Sequence, residues 1–257
     1  MQKEVKKSWA LFLGIGTMMI AHGLQMQIMG IRSVLEDFSV LTIGIFMSGY
    51  YVGYFIGSKT TPNLVQKVGH IRVFAAFASL ASLSALVAVA YVNPFMWTIS
   101  RFITGISLVS CYVVSESWLN DRATNKNRGQ LLSAYMIVLY FGLALGMLLL
   151  NVSEPNAYEP FILVSILLSL ALVPILLTKR PAPKFKKIGT ISVKELYEIS
   201  PLGSVSSFAT GNDSCCIFLP NLSVCNKSRI YTSRNINSFI YSYYFRSCWT
   251  RSDRIFF

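Results

Sequence analysis

Residues 97–121 read W-T-I-S-R-F-I-T-G-I-S-L-V-S-C-Y-V-V-S-E-S-W-L-N-D. This is an apolar segment with one arginine, Arg101, set inside it. An ionised side chain at membrane depth costs about 2.5–3.5 kcal/mol on insertion scales, and it is hidden from lipid, facing a bundle interior or a water-filled path. The stretch therefore predicts a membrane helix that has neighbours, with something polar between them.

The rest of the composition agrees. Of 257 residues, 53% are hydrophobic and 13% charged, against about 25% charged in soluble domains. The net charge of +12 raises nucleic acid or anionic lipid as partners. The lysines and arginines, however, sit in short segments between apolar runs and not along one amphipathic face. That distribution excludes a nucleic-acid interface and makes the lipid bilayer the partner. Lys3, Lys6 and Lys7 precede an apolar run too long for a secretory h-region, so no cleaved signal is read there.

Working outward from residues 97–121, six apolar spans emerge, at about 8–31, 38–58, 73–92, 94–115, 129–153 and 160–178, each near the 20 residues a crossing requires. Asn93-Pro94 divides one long run into two helices, proline suiting a first helical turn. Pro174 predicts a kink near the end of the sixth span. The segments joining the spans alternate in charge. The N-terminus, the second and fourth connections and the segment after the sixth span hold 15 basic residues, whereas the first, third and fifth connections hold only Arg32. The positive-inside rule then places the N-terminus and residues 179–200 in the cytoplasm. The expectation is a multi-pass integral membrane protein of the cell (inner or plasma) membrane.

Past the domain at 1–178, residues 179–200 read as a basic cytoplasmic linker, with a short amphipathic helix at Ser192–Ser200 lying on the membrane surface. Residues 201–211 resemble the start of a truncated seventh helix. The composition then changes. All 16 glycines and all 9 methionines lie at or before Gly211, and residues 212–257 hold four of the five cysteines. No cysteine there has a C-x-x-C partner and neither histidine lies in this stretch, so a metal or disulfide module is the weaker reading. The stronger one is an aberrant, disordered tail read in the wrong frame.

Several residues inside the spans invite a role. Gly49, Gly53 and Gly57, and again Gly142 and Gly146, recur every fourth residue, which puts each set on one helix face and lets another helix approach closely. His22 and Gln25 share a face, and His22 titrates near neutrality and can carry a proton. Tyr50, Tyr51 and Tyr54 line either a solute path or an interface. Glu116 lies near Arg122 and Arg128, as a surface ion pair or as a gate contact. No paired carboxylates, nucleophile–base pair or metal-ligand cluster is present, so neither an enzyme nor a cofactor is expected.

Residues 62–72, P-N-L-V-Q-K-V-G-H-I-R, fall between the second and third spans. They resemble the G-x-L-x-D-R-x-G-R motif that the major facilitator superfamily carries at this place. Leu64, Lys67 and Gly69 match, and Arg72 keeps a nearby positive charge. Pro62 replaces a glycine, Gln66 the aspartate and His70 an arginine. Arg101-Phe-Ile-Thr104-Gly105 is similar to the family's R-x-x-q-G, with threonine at the glutamine. The wording of G-Y-Y-V-G-Y-F-I-G-S-K (49–59) and E-S-W-L-N-D (116–121) resembles an uncharacterised, YcaD-like branch. The resemblance covers about residues 8–211.

It implies an all-α membrane fold in which this chain supplies the N-terminal half, six helices as two inverted three-helix repeats, facing a missing C-terminal half. It implies secondary active transport of a small-molecule substrate by alternating access, with proton coupling as an option. Arg101, His22, Gln25, Tyr51 and Tyr54 become the candidates for the substrate or proton path. Leu64, Gln66, Lys67, Gly69, Arg72 and Glu116 become candidates for the gate, weakened at Gln66, which cannot act as a charge. In the family, helices two and five pack against the second half, which is where the two glycine faces are expected to point. Gly146 is followed by Met147 and not by proline, against the pattern of drug/proton antiporters. The rival readings are a non-transporting six-helix assembly protein and a non-functional fragment.

Overall fold

The computed structural model describes residues 8–124, 127–150, 157–177 and 193–203. All of them lie in one compact unit that ends at Val205. Among the described residues every regular element is a helix. Six are long and apolar enough to cross a membrane: α1 (Trp9–Leu35), α2 (Val40–Val68), α3 (His70–Ala90), α4 (Pro94–Arg122), α5 (Arg128–Leu149), and α6 (Glu159–Leu170), which continues through α7 (Leu172–Leu176). A short α8 (Val193–Ile199) follows. The basic N-terminal residues, most of the 179–200 linker, positions 204–211 and the 212–257 tail lie outside the described residues.

The helices run further than apolarity alone suggests, because a charge near a helix end does not stop a helix. In α1, Arg32 folds along the axis and its Nε donates to Glu36 Oε1 at 2.7 Å, a pairing of side chains one turn apart. In α2 the expected end at Ser58 is passed by ten residues, through Pro62. Proline removes one ladder bond, but neighbouring hydroxyls fasten the turn to α4. Thr61 Oγ1 lies 2.6 Å from the Gly57 carbonyl and 2.7 Å from Ser110 Oγ. The expected cytoplasmic loop 59–72 is thus helix, broken only at Gly69, whose φ of +94° is open to glycine and costly for other residues. Asn93 caps α4 by accepting from Phe95 N–H at 2.9 Å, with Pro94 at its first turn. Trp97 Nε1 donates to the Ala88 carbonyl at 2.9 Å and ties α3 to α4. The sixth span breaks at Ala171, because the ring of Pro174 would otherwise meet the carbonyl of Leu170, four residues before it.

Packing follows a two-fold scheme. α2 lies against α4 and α1 against α5, α3 crosses both α4 and α6, and α1 also meets α6. α1 and α4 are the most buried pair. Four glycines make the two closest seams. A Cβ on Gly53 would come within 2.1 Å of the Phe102 carbonyl oxygen, and one on Gly105 within 2.0 Å of that of Tyr50. A Cβ on Gly146 would come within 2.1 Å of the Ile20 carbonyl oxygen, and one on Gly23 within 2.3 Å of that of Leu143. In each case the target is the residue three before the opposing glycine. The α2–α4 seam is therefore repeated by α5–α1, as two inverted three-helix repeats require. This corrects one expectation. The Gly49/Gly53/Gly57 face is spent on α4 and the Gly142/Gly146 face on α1, inside the bundle and not toward a second half. Helix periodicity says which glycines share a face but not which helix that face meets.

The sides of α2 and α5 turned away from these seams carry large exposed apolar residues, among them Val52, Phe55, Ile56, Ile137, Tyr140 and Phe141.

Candidate functional site

The α4 segment around Arg101 alternates small and polar residues. Ser100, Arg101, Thr104, Gly105, Ser107 and Ser110 are all buried. Small residues let α1, α2 and α3 close around α4, and the hydroxyls must then find partners inside. Most do. Ser100 Oγ donates to the Ser84 carbonyl at 2.7 Å, Thr104 Oγ1 donates to the Ser100 carbonyl at 2.9 Å, and Ser84 Oγ lies 2.8 Å from Thr104 Oγ1. Gln25 of α1 reaches the same threonine, Nε2 to Oγ1, at 3.5 Å. This chain fastens α1, α3 and α4 behind the arginine.

Arg101 itself is fully buried. Its guanidinium lies between α1 and α2, with Nη1 3.4 Å from Met26 Sδ and Nη2 3.6 Å from Met47 Sδ. Its Nε has no partner. The ionisable side chains facing it are His22, Tyr50 and Tyr51. His22 stacks on Tyr50 with ring centres 5.8 Å apart and planes 18° off parallel, and its Nδ1 is buried without a partner. Tyr50 also meets Tyr51 edge-on at 5.4 Å and Tyr54 at 6.1 Å. Tyr51 and Tyr54 are 37% and 38% exposed, so they form the open side of an otherwise closed group.

The structure thus gathers all five sequence-derived path candidates, Arg101, His22, Gln25, Tyr51 and Tyr54, around one place on α1, α2 and α4. Gln25 is held in the rear hydroxyl chain and not at the open side. Met26 and Met47 are additions. Their only signal in sequence is register: Met26 stands one turn after His22, and Met47 three residues before Tyr50.

The gate candidates do not form one cluster. Leu64, Gln66, Lys67 and Arg72 are exposed at the end of the bundle marked by Gly69. His70 turns inward, its Nε2 3.1 Å from Ser117 Oγ and its ring edge-on to Trp118 at 6.2 Å. Glu116 stands apart. It makes no ion pair among the described residues. Arg122, one of its expected partners, lies over the Trp118 ring at 5.4 Å. Glu116 faces Tyr54 and the buried hydroxyl of Tyr135, which makes no hydrogen bond of good geometry. The ion-pair expectation failed because Glu116 and Arg122 are six residues apart, on different sides of the helix, whereas Trp118 stands one turn before Arg122 on its own face.

No group of three or more His, Cys, Asp or Glu side chains able to hold a metal occurs among the described residues.

The profile of the Major Facilitator Superfamily matches residues 11–240. An uncharacterized MFS-type transporter YcaD of Escherichia fergusonii is 26% identical over 164 residues, which is 64% of this chain and 43% of that protein. An uncharacterized MFS-type transporter of Enterobacter sp. (strain 638) is 28% identical over 144 residues, 56% of this chain and 38% of the relative. YcaD of Escherichia coli O6:K15:H31 is 30% identical over 146 residues, again 56% and 38%. The chain spans about two fifths of the length of the curated relatives it matches. With six apolar helices in a paired inverted arrangement and a family match across most of its length, this chain is a multi-pass integral membrane protein and belongs to the Major Facilitator Superfamily.

Proposed function

We propose that this chain serves secondary transport of a small solute across the cell membrane, as the N-terminal six-helix half of a transporter that alternates access by rocking against a second half. The observation that carries the reading is Arg101: a guanidinium buried about two turns into a membrane helix, flanked by His22 and Tyr50 and opening toward Tyr51 and Tyr54. Such a charge is expensive to keep and marks a solute or ion path. Arg101 meets the solute or couples its movement to protons. His22 lies one stacked ring away, and Leu64, Gln66, Lys67, Gly69, Arg72 and Glu116 belong to the gate. The 15-to-1 basic asymmetry puts the N-terminus and the Gly69 end in the cytoplasm. The exposed faces of α2 and α5 receive the second half.

The test is a comparison of solute profiles inside cells that express the chain with a relative's C-terminal half supplied in trans. Wild type should change the internal level of at least one solute, and Arg101→Ala, present in the membrane at equal amount, should not. Indistinguishable profiles for the two would end the transport reading and favour a six-helix assembly protein.

Residues 212–257 remain, in this proposal, a stretch translated out of frame. The family match runs past Gly211 to residue 240, which counts against it.

A further inference from the structure

We infer that the solute handled at Arg101 carries an oxyanion group, a carboxylate or phosphate, and that the thioethers of Met26 and Met47 occupy its place when it is absent. The inference rests on the transport reading above and adds the chemical class.

Three observations converge. The first is what the bundle does elsewhere. Thr61 and Ser110 meet at 2.7 Å, Ser82 and Ser165 at 2.7 Å, and Ser84 and Thr104 at 2.8 Å. Many buried hydroxyls thus find oxygen partners across the helices, and none of those oxygens is given to Arg101, which is charged where Ser107, Ser115, Trp118 and Tyr135, also unpartnered, are neutral. The hydroxyls nearest in sequence, Ser100 and Thr104, turn to backbone carbonyls.

The second is charge. Guanidinium has five N–H donors and no neutral form to retreat to. Among the described residues no carboxylate pairs with Arg101, and the ion pair present is Arg32–Glu36. Glu116 stands on the same helix, 15 residues on, about 22 Å along the axis. A cationic solute would find no negative group here and would meet a second positive charge.

The third is geometry. The two Nη groups point at two sulfurs on two different helices, α1 and α2, at 3.4 and 3.6 Å. Thioether sulfur is a weak acceptor, whereas an oxyanion takes the same two donors in a bidentate pair. Met26 and Met47 are unbranched and part-exposed, so they can swing aside by rotating side-chain bonds. The unpartnered Nε is a further donor.

The test uses the full 257-residue chain, purified in detergent with 13C-methyl methionine. The probes are benzoate, inorganic phosphate, neutral benzamide and cationic benzylamine at matched ionic strength. Expected are saturable shifts of the Met26 and Met47 methyl signals with benzoate or phosphate, none with benzamide or benzylamine, and a higher unfolding temperature with the anion alone. Arg101→Gln should abolish the response and Arg101→Lys weaken it at least tenfold, because the planar fork is lost. The double variant Met26→Leu, Met47→Leu keeps the charge and should bind the anion as tightly or a few-fold more tightly.

Equal responses to benzoate and benzamide, an anion response that survives Arg101→Gln, or no response from helical wild-type protein would each overturn the inference. So would a carboxylate of the second half cross-linked to position 101 in a complex that ignores both anions. Anion binding by a chain that alters no solute profile would sink the transport reading and leave this inference standing. Transport without anion binding would do the reverse.

Discussion

Replacing Gly53 by alanine adds one methyl group to the α2–α4 seam. That Cβ would stand 2.1 Å from the Phe102 carbonyl oxygen and 3.1 Å from Ile106 N. Both are backbone atoms of α4, so no side chain can rotate out of the way. Ordinary contact begins at 3.4 Å, so the helices must separate locally by about 1.3 Å, an overpacking shift that costs about 1–3 kcal/mol. At about 2 kcal/mol the unfolding equilibrium moves by roughly thirtyfold. The control lies on the same helix: a Cβ on Gly44 has nothing within 4 Å. Gly44→Ala should be neutral or should stabilise by up to about 1 kcal/mol, through the backbone entropy that alanine saves. Unfolding in mixed micelles of rising dodecyl sulfate, followed by far-UV circular dichroism, measures both. Gly53→Ala combined with Gly105→Ala should cost less than the sum of the two, since the first opens the seam for the second. Gly53→Ala with Gly146→Ala should be close to additive, because the seams are separate. If Gly53→Ala and Gly44→Ala unfold at the same point, the close approach of α2 and α4 is wrong.

Arg101→Met should raise stability in the same assay by about 1–3 kcal/mol, because an uncompensated buried charge is removed; lower stability would mean that the guanidinium has a compensating partner. Single cysteines at positions 3, 65, 125 and 184 should label only from the cytoplasmic side, and those at 34, 93 and 156 only from outside. External labelling at 65 or 125 would reverse the topology. Read in the other two frames, the gene beyond codon 211 should open into further apolar spans in one of them. Early stop codons in both would make the 212–257 tail genuine.

The six spans were legible because burial in lipid and burial in protein both demand apolar side chains, and each run is long enough for only one outcome. Helix ends were less legible. Arg32, Lys59 and Lys67 read as loop, yet each is charged only at its tip and extends from a helix. Gly49, Gly53 and Gly57 announced a face by repetition, but Gly23 and Gly105, which complete the seams, have no glycine four residues away, and Gly105 stood out only as the end of the Arg101–Gly105 motif. At the candidate site Arg101 and His22 were visible as polar exceptions. Met26 and Met47 were not, since methionine in an apolar helix looks like filling until a donor is found beside its sulfur.

The junction between α2 and α3 is one residue, Gly69, and that between α3 and α4 is three, Tyr91, Val92 and Asn93. Neither leaves slack, so the rotational phase of α3 is clamped at both ends. One residue inserted beside Gly69 would turn α3 by about 100° about its axis. That would carry Ala78, Ala81, Ser82 and Ala85 out of the core and part Ser82 from Ser165. An insertion of the same size in the longer, five-residue connection 123–127 between α4 and α5 should cost less. Tolerance to length change should therefore be lowest where the chain reverses most sharply, and any tilt of α2 must drag α3 with it as one lever.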